Sequence, residues 1–381
     1  MRGVYLDWAA TSAIRPPEVP EAMAAYMRDC GGIPGRSAHT VASDASRITE
    51  ECRAAVLQFF GLPGGPERLA FTLNGTTALN TALWGLLGPG DVLVTTAFDH
   101  AAVSRPAAAL AAARGVEVRT VPGAPDGALD LAAAARLLDG ATVLTVNSAS
   151  NVLGHRLPLM ELSALAREAG ARVVVDTAQA AGRIDTAVAD AKADIVTFTG
   201  HKGLLGPQGI GGLWVRGDID LDPMVYGGTG GGCHSSAMPL TMPHRLEAGT
   251  VNAPGVAGLL AALRYLQGSD GTARRTREVE LKQMLRDGLL QMPGVRVLSP
   301  ADPEGVGIVT FDVLGRDPVE VADRLDREWG VMCRAGIHCA PETHRLLGTL
   351  ERGAVRCSIG WATRREDVET ALGSMERIAG A

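Results

Sequence analysis

The chain has 381 residues, of which 46% are hydrophobic and 20% are charged, so it can bury a large core and divide into two domains. The formal net charge is -6 and the pI is about 5.8. This charge argues against a nucleic-acid partner and favours small-molecule ligands, since no long basic run is present.

Two features bear on the location of the protein. Asp7 interrupts the first apolar stretch before the core of a signal peptide could form, and no later segment resembles a membrane span. The six cysteines, at positions 30, 52, 233, 333, 339 and 357, form no C-x-x-C pair, which suggests neither a disulfide framework nor a zinc site. We therefore expect a cytoplasmic protein that contacts no membrane and holds no metal.

Strand-like and helix-like segments alternate between residues 69 and 215, which is typical of a mostly parallel sheet with helices on both faces. The clearest helix is predicted from Pro158 to Glu168, where leucines recur at helical spacing. The predicted strands are Leu69–Leu73, Val92–Thr96, Val116–Val121, Thr142–Val146, Arg172–Asp176, Asp194–Thr199 and Gly211–Val215.

The alternation ends at a segment rich in Gly, Pro and Met, residues 217–250, which predicts irregular structure. A long helical stretch from Ala253 to Gln291, broken near Gly268 to Gly271, leads into a smaller α+β region and a final helix. We predict a large domain of residues 15–262 and a small domain of residues 1–14 and 263–381. Strands of the small domain are predicted near Val295–Leu298, Gly307–Val313 and Val355–Ile359.

Lys202 stands in a turn, Thr199-Gly200-His201-Lys202-Gly203, directly after a predicted strand. A lysine near a low-dielectric strand end loses part of its preference for the charged form, so its amine can react with a carbonyl cofactor. An isolated lysine there would more often be a surface residue. A second predicted strand ends at Asp176, followed by Gln179, and such strand ends face one crevice in a parallel sheet.

A phosphate site is predicted at Asn74-Gly75-Thr76-Thr77, where a helix begins and its dipole favours an anion. Thr76 or Thr77 could equally be a plain helix N-cap. Neither G-x-G-x-x-G nor G-x-x-x-x-G-K-[ST] is present, so a single phosphate on a carbonyl cofactor fits better than a dinucleotide or ATP. His100 follows another strand and could stack on a planar ring or move a proton, although a lone histidine there is more often structural.

Together these motifs resemble the class V aminotransferase fold of pyridoxal-phosphate enzymes, fold type I. Within that fold, Arg334-Ala335-Gly336-Ile337-His338-Cys339-Ala340 resembles the cysteine loop of the group II cysteine desulfurases and selenocysteine lyases. Trp8 departs from the pattern, because a small or polar residue beside the substrate entrance is more usual there. The other matching segments span nearly the whole chain: residues 5–11, 246–252 and 355–358.

The resemblance implies pyridoxal phosphate as the cofactor. It implies that Lys202 forms the Schiff base, that Asp176 pairs with the pyridinium nitrogen and that His100 stacks on the ring. It also implies a homodimer in which Thr250 of each subunit reaches the phosphate of its neighbour. The remaining cofactor contacts that it implies are Gln179 at the ring hydroxyl, Asn151 beside the ring, and Thr76, Thr77, Thr199 and His201 at the phosphate.

The implied reaction is cysteine desulfuration. Arg356 is implied to bind the substrate carboxylate, with Arg334, Asn151 and His338 beside the substrate. Lys202 would then move the Cα proton, and Cys339 would attack the substrate sulfur, leaving alanine and a persulfide for an acceptor, which could be a protein. The neighbouring His338 and Arg334 are expected to lower the pKa of the Cys339 thiol.

Three functions stay open from the sequence. The first is a cysteine desulfurase acting on L-cysteine. The second is a pyridoxal-phosphate enzyme of the same fold with other chemistry: selenocysteine lysis, β-elimination from a cysteine conjugate, or transamination. The third is a non-catalytic relative, which the intact Lys202, Asp176 and Cys339 disfavour. The other cysteines are expected to be inert packing residues: Cys30, Cys52, Cys233, Cys333 and Cys357.

Overall fold

The computed structural model describes residues 3–35, 37–230 and 236–380. The end of the predicted glycine-rich run and Cys233 lie outside the described residues. The helices are α1 (Glu18–Ala25), α2 (Thr40–Phe60), α3 (Gly75–Leu86), α4 (Ala101–Arg114), α5 (Leu131–Leu137), α6 (Leu159–Glu168), α7 (Ala253–Gly268), α8 (Gly271–Leu290), α9 (Pro318–Trp329), α10 (Pro341–Leu346) and α11 (Arg365–Ala379), with a π-helical turn at Tyr26–Cys30 and a 3-10 turn at Pro66–Arg68.

The strands fall into three sheets, described below. They are β1 (Val4–Tyr5), β2 (Leu69–Thr72), β3 (Val92–Thr96), β4 (Glu117–Val121), β5 (Val143–Asn147), β6 (Arg172–Asp176), β7 (Ile195–Thr199), β8 (Gly211–Val215), β9 (Val295–Val297), β10 (Ile308–Val313), β11 (Val331–Met332), β12 (Arg334–Gly336) and β13 (Ala354–Ser358). No helix in the described part of the chain is long and apolar enough to cross a membrane.

A seven-stranded sheet has the order β2-β8-β7-β6-β5-β3-β4. Strands β3 to β7 pair in parallel, while β8 runs antiparallel to both β7 and β2. The predicted sheet is therefore confirmed, and each predicted strand lies within one residue of the observed one.

Helices cover both faces of this sheet, which explains why its strands are apolar almost throughout. In β6, Val173 and Val175 pack on one face, against residues of α2, α6 and α7, whereas Val174 packs on the other, against α3 and α4. Fully burying one such side chain stabilises the fold by roughly 1.5–3 kcal/mol. This burial fixes the register, because a slip by one residue would reverse every side chain.

The order of the strands reverses between β3 and β5, since β4 lies on one side and β6 and β7 on the other. In open α/β sheets the crevice outside the carboxyl ends of the strands at such a reversal is the usual ligand site. The ends of β5, β6 and β7, at Asn147, Asp176 and Thr199, all open onto this crevice.

The C-terminal region contains a four-stranded antiparallel sheet, in the order β12-β13-β10-β9, packed against α8, α9 and α11. The N-terminal segment belongs to this region, because β1 pairs with β11 and the buried Leu6 joins its core. The smaller α+β region and the helix break between Gly268 and Gly271 are as predicted. Strands β1, β11 and β12, of two or three residues each, were not predicted.

The domain limits stay a prediction. The limit after residue 262 falls inside α7, whose Leu263 and Leu266 pack in the core of the large sheet.

The irregular segment forms no helix or strand over residues 217–230 and 236–250. Its end is held by a buried ion pair between Glu247 and Arg53 of α2, whose side chains are 5% and 3% exposed. Glu247 Oε1 also accepts the backbone N–H of Phe71 at 2.6 Å. The pair therefore joins this segment, α2 and β2.

We expect Glu247→Ala to lower the free energy of unfolding by about 3–5 kcal/mol, because the buried Arg53 charge would lose its buried partner and keep only the exposed Glu50. The matched control is Glu51→Ala, which removes exposed ion pairs to Arg47 and Arg264 and should cost less than about 1 kcal/mol. Urea unfolding at neutral pH measures both. Equal losses in the two variants would contradict the importance of the buried pair.

Candidate active site

A cavity lies at the carboxyl ends of β5, β6 and β7, beside the N-termini of α3 and α4. Asn74, the first residue of the predicted phosphate motif, lines it as well, and so does Asn147, which was not predicted as a site residue. The predicted residues that the structure brings together in its lining are Thr76, His100, Asn151, Asp176, Gln179, Thr199, His201 and Lys202.

The turn that carries Lys202 is held by the N-terminal segment. The Ser12 hydroxyl donates to the Lys202 carbonyl at 2.7 Å, and the Ser12 N–H donates to the His201 carbonyl at 2.8 Å. Thr11 Oγ1 lies 3.0 Å from His201 Nδ1. Thr11 and Ser12 were not predicted as site residues, because nothing in their local sequence reveals a partner 190 residues away.

Two glycines let the chain after Gln179 pack directly on the lysine turn. A Cβ atom at Gly182, where φ is +81°, would lie 2.0 Å from the carbonyl oxygen of Gly203. A Cβ atom at Gly203 would lie 2.3 Å from the carbonyl oxygen of Ala181. Any side chain at either position would therefore force the lysine turn away from the end of β6.

Burial lowers the pKa of Lys202 from 10.5 to about 8. The negative charge of Asp176 opposes this shift, whereas Arg356, Arg183 and Arg334 add to it. About a tenth of the amine is then uncharged at pH 7, far more than for an exposed lysine. Lys202 is thus poised to act as a nucleophile or a base.

Asp176 is a buried carboxylate at the end of β6. Burial raises its pKa, while the Ala178 N–H, at 2.8 Å from Oδ1, and the charge of Lys202 lower it. A second cationic group bound beside Asp176 would favour the ionised carboxylate further. This is the requirement for pairing with a protonated ring nitrogen.

His100 is both the N-cap of α4 and part of the cavity wall. Its Nδ1 accepts the N–H of Ala102 at 3.0 Å, so the ring proton is on Nε2. Burial lowers the pKa of His100 to about 4, and the charge of Lys202 adds to this. The ring is therefore neutral at pH 7 and suited to stacking.

Asn74, rather than Thr76 or Thr77, caps α3, since its Oδ1 accepts the Thr77 N–H at 2.9 Å. Thr76 thus keeps its hydroxyl available to the cavity. Thr77 does not line this cavity and lies instead in an adjoining one, together with Thr250.

The polar atoms of the wall fit a polar ligand. Within the described part of the chain, four of them are buried without a hydrogen-bond partner: Asn147 Oδ1, Asn151 Oδ1, Gln179 Oε1 and Thr199 Oγ1. Each buried, unpaired group costs about 1–3 kcal/mol. A ring with polar substituents and a phosphate, such as pyridoxal phosphate, would satisfy them.

Arg356 lies on β13, opposite Arg334 of β12. Its Nη1 donates to the Asn151 carbonyl at 2.8 Å, its Nη2 lies 3.1 Å from Asp7 Oδ1, and its buried Nε has no partner. Burial lowers the pKa of Arg356 to about 10, so it stays charged at neutral pH. Asp7 was missed as a site residue, although it belongs to the opening motif.

The cysteine loop is anchored to both sides of the cavity. The Cys339 carbonyl accepts the Ala101 N–H at 2.7 Å, and the His338 carbonyl accepts Asn151 Nδ2 at 2.6 Å. The Cys339 side chain is exposed. His338 and Cys339 both have left-handed backbones, with φ of +51° and +57°, which costs roughly 1–2 kcal/mol for each.

His338 is buried within the cysteine loop and has two partners there. Its Nδ1 lies 3.2 Å from His344 Nε2, and its Nε2 lies 3.3 Å from the Arg334 carbonyl. Burial lowers the pKa of His338 to about 2, so the ring is neutral. A neutral ring offers no positive charge to the neighbouring Cys339, and the contacts of His338 hold the loop. A direct contact with substrate stays a prediction.

Trp8 is buried and does not line the cavity around Lys202. Its Nε1 donates to the Tyr5 carbonyl at 2.8 Å, and its ring packs on Gly360, where a Cβ atom would lie 2.2 Å away. Trp8 thus packs in the C-terminal region and also lines a second cavity, beside Arg183 and Gly203. Its effect at the substrate entrance stays a prediction.

Comparisons with known proteins agree with this geometry. The family profile described as Aminotransferase class-V matches residues 4–371. A probable cysteine desulfurase of Pyrococcus abyssi is 34% identical, over 98% of this chain and 94% of its own. A cysteine desulfurase of Haloferax volcanii is 33% identical, over 98% and 88%.

Solved structures give the same result. The apo structure of a cysteine desulfurase from Thermococcus onnurineus has a TM-score of 0.91 and 34% identity, covering 99% of this chain and 95% of that one. An Escherichia coli cysteine desulfurase has a TM-score of 0.87 and 29% identity, covering 98% and 94%.

The chain therefore belongs to the class-V aminotransferase family, which is dependent on pyridoxal phosphate. Within this family its relatives bear the name cysteine desulfurase, so the predicted resemblance is confirmed.

We expect covalent attachment of pyridoxal phosphate to the apo-protein at Lys202 to rise with pH around a midpoint near 8, because the uncharged amine is the reactive form. In Asp176→Asn the midpoint should move to lower pH, since the Asp176 charge raises the pKa of Lys202. Borohydride reduction at each pH, followed by peptide mapping, measures the attachment.

The exposed Lys192, mapped in the same digests, is the control for surface lysines. An unchanged midpoint in Asp176→Asn would contradict the coupling between the two residues.

Proposed function

We propose that this protein is a pyridoxal-phosphate-dependent cysteine desulfurase, which converts L-cysteine to L-alanine and holds the sulfur as a persulfide on Cys339. The observation that carries this proposal is the anchored loop: an exposed cysteine follows a backbone hydrogen-bonded to Ala101 and Asn151, beside the cavity of Lys202. The relatives named cysteine desulfurase support the same activity.

The cavity wall offers partners for every part of the cofactor. Asp176 would hold the ring nitrogen, His100 would stack on the ring and Gln179 would reach its hydroxyl. Thr76, Thr199 and His201 would hold the phosphate. When bound, pyridoxal phosphate stabilises negative charge on the α-carbon of an attached amino acid.

The residues of this chain then perform the proton and sulfur transfers. Arg356 and Arg334 would bind the substrate carboxylate. The buried Nε of Arg356 has no hydrogen-bond partner, which supports this role for Arg356. The Lys202 amine, partly uncharged because of its lowered pKa, takes the Cα proton and delivers it again.

Cys339 carries out the sulfur transfer. Its thiolate attacks the substrate sulfur, so an S–S bond forms and the substrate C–S bond breaks. The electron pair of the broken bond stays with the substrate β-carbon, which takes up one proton to become the methyl group of alanine. Cysteine and the enzyme thiol thus give alanine and an enzyme persulfide, with no external oxidant or reductant.

We further propose a homodimer with shared sites. Thr77 and Thr250 line a second cavity, separate from the one that holds Lys202. This separation supports a role for Thr250 at the site of a neighbouring subunit. Exposed apolar side chains close to this cavity in sequence support an interface there: Leu73, Val225, Tyr226 and Leu240. Burying these side chains against a second copy would remove their apolar surface from water.

A sulfur-acceptor protein and a cytoplasmic location complete the proposal. The exposed position of Cys339 supports transfer of the persulfide sulfur to a partner. The described cysteines are free thiols, which supports a reducing compartment.

In Cys339→Ala the rate of alanine formation from cysteine should fall by at least about a hundredfold, because no thiolate attacks the substrate. The loop peptide should also no longer gain a sulfur atom. Cofactor binding, followed by absorbance, should not change. The control is Cys30→Ala, which removes a thiol elsewhere in the chain. Alanine and persulfide assays, with mass spectrometry of the loop peptide, measure these effects.

The same assays distinguish the other chemistries. If Cys339→Ala releases sulfide at the wild-type rate, together with pyruvate and ammonia, the reaction is β-elimination rather than desulfuration. Turnover of selenocysteine but not cysteine by the wild type would indicate a selenocysteine lyase. A keto acid formed with a new amine would indicate transamination.

Mixed dimers test the shared site. Lys202→Ala subunits and Thr250→Asp subunits should each be inactive alone, the second because its charge repels the phosphate. Mixing them should restore activity, because one of the two sites then has Lys202 and a neighbouring Thr250. Activity and native mass spectrometry follow the mixture, and inactive mixed dimers would remove the proposal of shared sites.

A further inference from the structure

Two cysteines face each other across neighbouring strands behind the arginine pair. Arg334 lies opposite Arg356, and Gly336 lies opposite Ala354, in the antiparallel pairing of β12 and β13. Continuing this register by one residue places Cys333 opposite Cys357. Cα atoms of directly opposed residues in such a pair are about 4.5–5.5 Å apart. This spacing is within the range of about 4.4–6.8 Å that a disulfide requires.

The side chains of the two cysteines meet on the face of the strands away from the arginines, because successive side chains alternate between faces. Both pack in the apolar cluster that includes Phe311 and Leu325. A hydrogen bond between the thiols, together with burial, raises the pKa of Cys357.

The pair differs in access to solvent. Cys357 is 2% exposed, whereas Cys333 is only partly buried. A small oxidant therefore reaches Cys333 first. Cys52, which is fully buried in another core, offers no comparable access.

We propose that Cys333 and Cys357 form a redox-sensitive pair that closes to a disulfide when the protein meets a peroxide. The Cys333 sulfur attacks one peroxide oxygen, the O–O bond breaks, and a sulfenic acid and water form. The Cys357 sulfur then attacks the Cys333 sulfur, and the S–O bond breaks to release a second water. The two thiols lose two electrons and two protons, and a dithiol reductant reverses the change.

The disulfide would tie β12 to β13 one residue from Arg334 and Arg356. It would also fix the strand that leads into the loop of Cys339. Oxidation of this pair would thus restrict the strands that carry Arg334 and Arg356 and would leave Lys202 and Cys339 chemically unchanged.

Hydrogen peroxide treatment of the cofactor-loaded wild-type protein tests this proposal. After free thiols are blocked and trypsin is added without reductant, Cys333, Cys339 and Cys357 lie on separate peptides: residues 328–334, 335–345 and 357–364. We expect the first and third peptides to appear joined, with a mass two hydrogens below their sum. Dithiothreitol should separate them.

Cys333→Ser is the matched variant, in which the joined peptide must disappear while Cys357 stays unoxidised because of its burial. The peptide of Cys52 should be alkylated only after unfolding in every sample. Oxidation of the exposed Cys339 in the same sample shows that the oxidant was active. Separate oxidation of Cys333 and Cys357, or a bridge from either one to Cys339, would overturn the proposal.

Discussion

The burial of the Lys202 amine is the constraint on which the rest of the site depends. Removal from water makes the charged form costly, and the nearby arginines increase that cost, while Asp176 offsets part of it. The result is an amine with a pKa of about 8 rather than 10.5. This balance requires the lysine turn to lie against the end of β6, and the glycines at 182 and 203 make that approach sterically feasible.

The second requirement is that substrate binding and sulfur transfer occur next to each other. Asn151 connects the two, since its carbonyl accepts from Arg356 and its side chain donates to the His338 carbonyl. The loop of Cys339 is thus positioned by the residue that also contacts Arg356. His338 is neutral, so it contributes hydrogen bonds to the loop rather than charge.

Much of the fold was predictable because the central strands are buried on both faces and carry strong local patterns. Asp176, Lys202 and Thr76 were predictable as a site because parallel strand ends meet at one edge. Features that depend on partners far away in the chain were not predictable. The short strand β1, the hydrogen bonds of Ser12 and the ion pair of Asp7 depend on residues far away in the chain. The neutrality of His338 depends on burial, and burial of single residues outside long elements leaves little local signal.

The pairing of β1 with the C-terminal region has a consequence for how the chain folds. The Ser358 N–H donates to the Leu6 carbonyl at 2.7 Å, so residues made at opposite ends of synthesis share a hydrogen bond. The entropy of closing such a loop grows only with the logarithm of its length, so this closure is not prohibitive for stability. It does impose an order of events on the ribosome, because the large sheet can form before β13 has emerged. During that interval the Lys202 turn is present while Arg334 and Arg356, whose charges help to lower the pKa of Lys202, are not. The amine therefore reaches its full reactivity only after the C-terminal region has joined the large sheet.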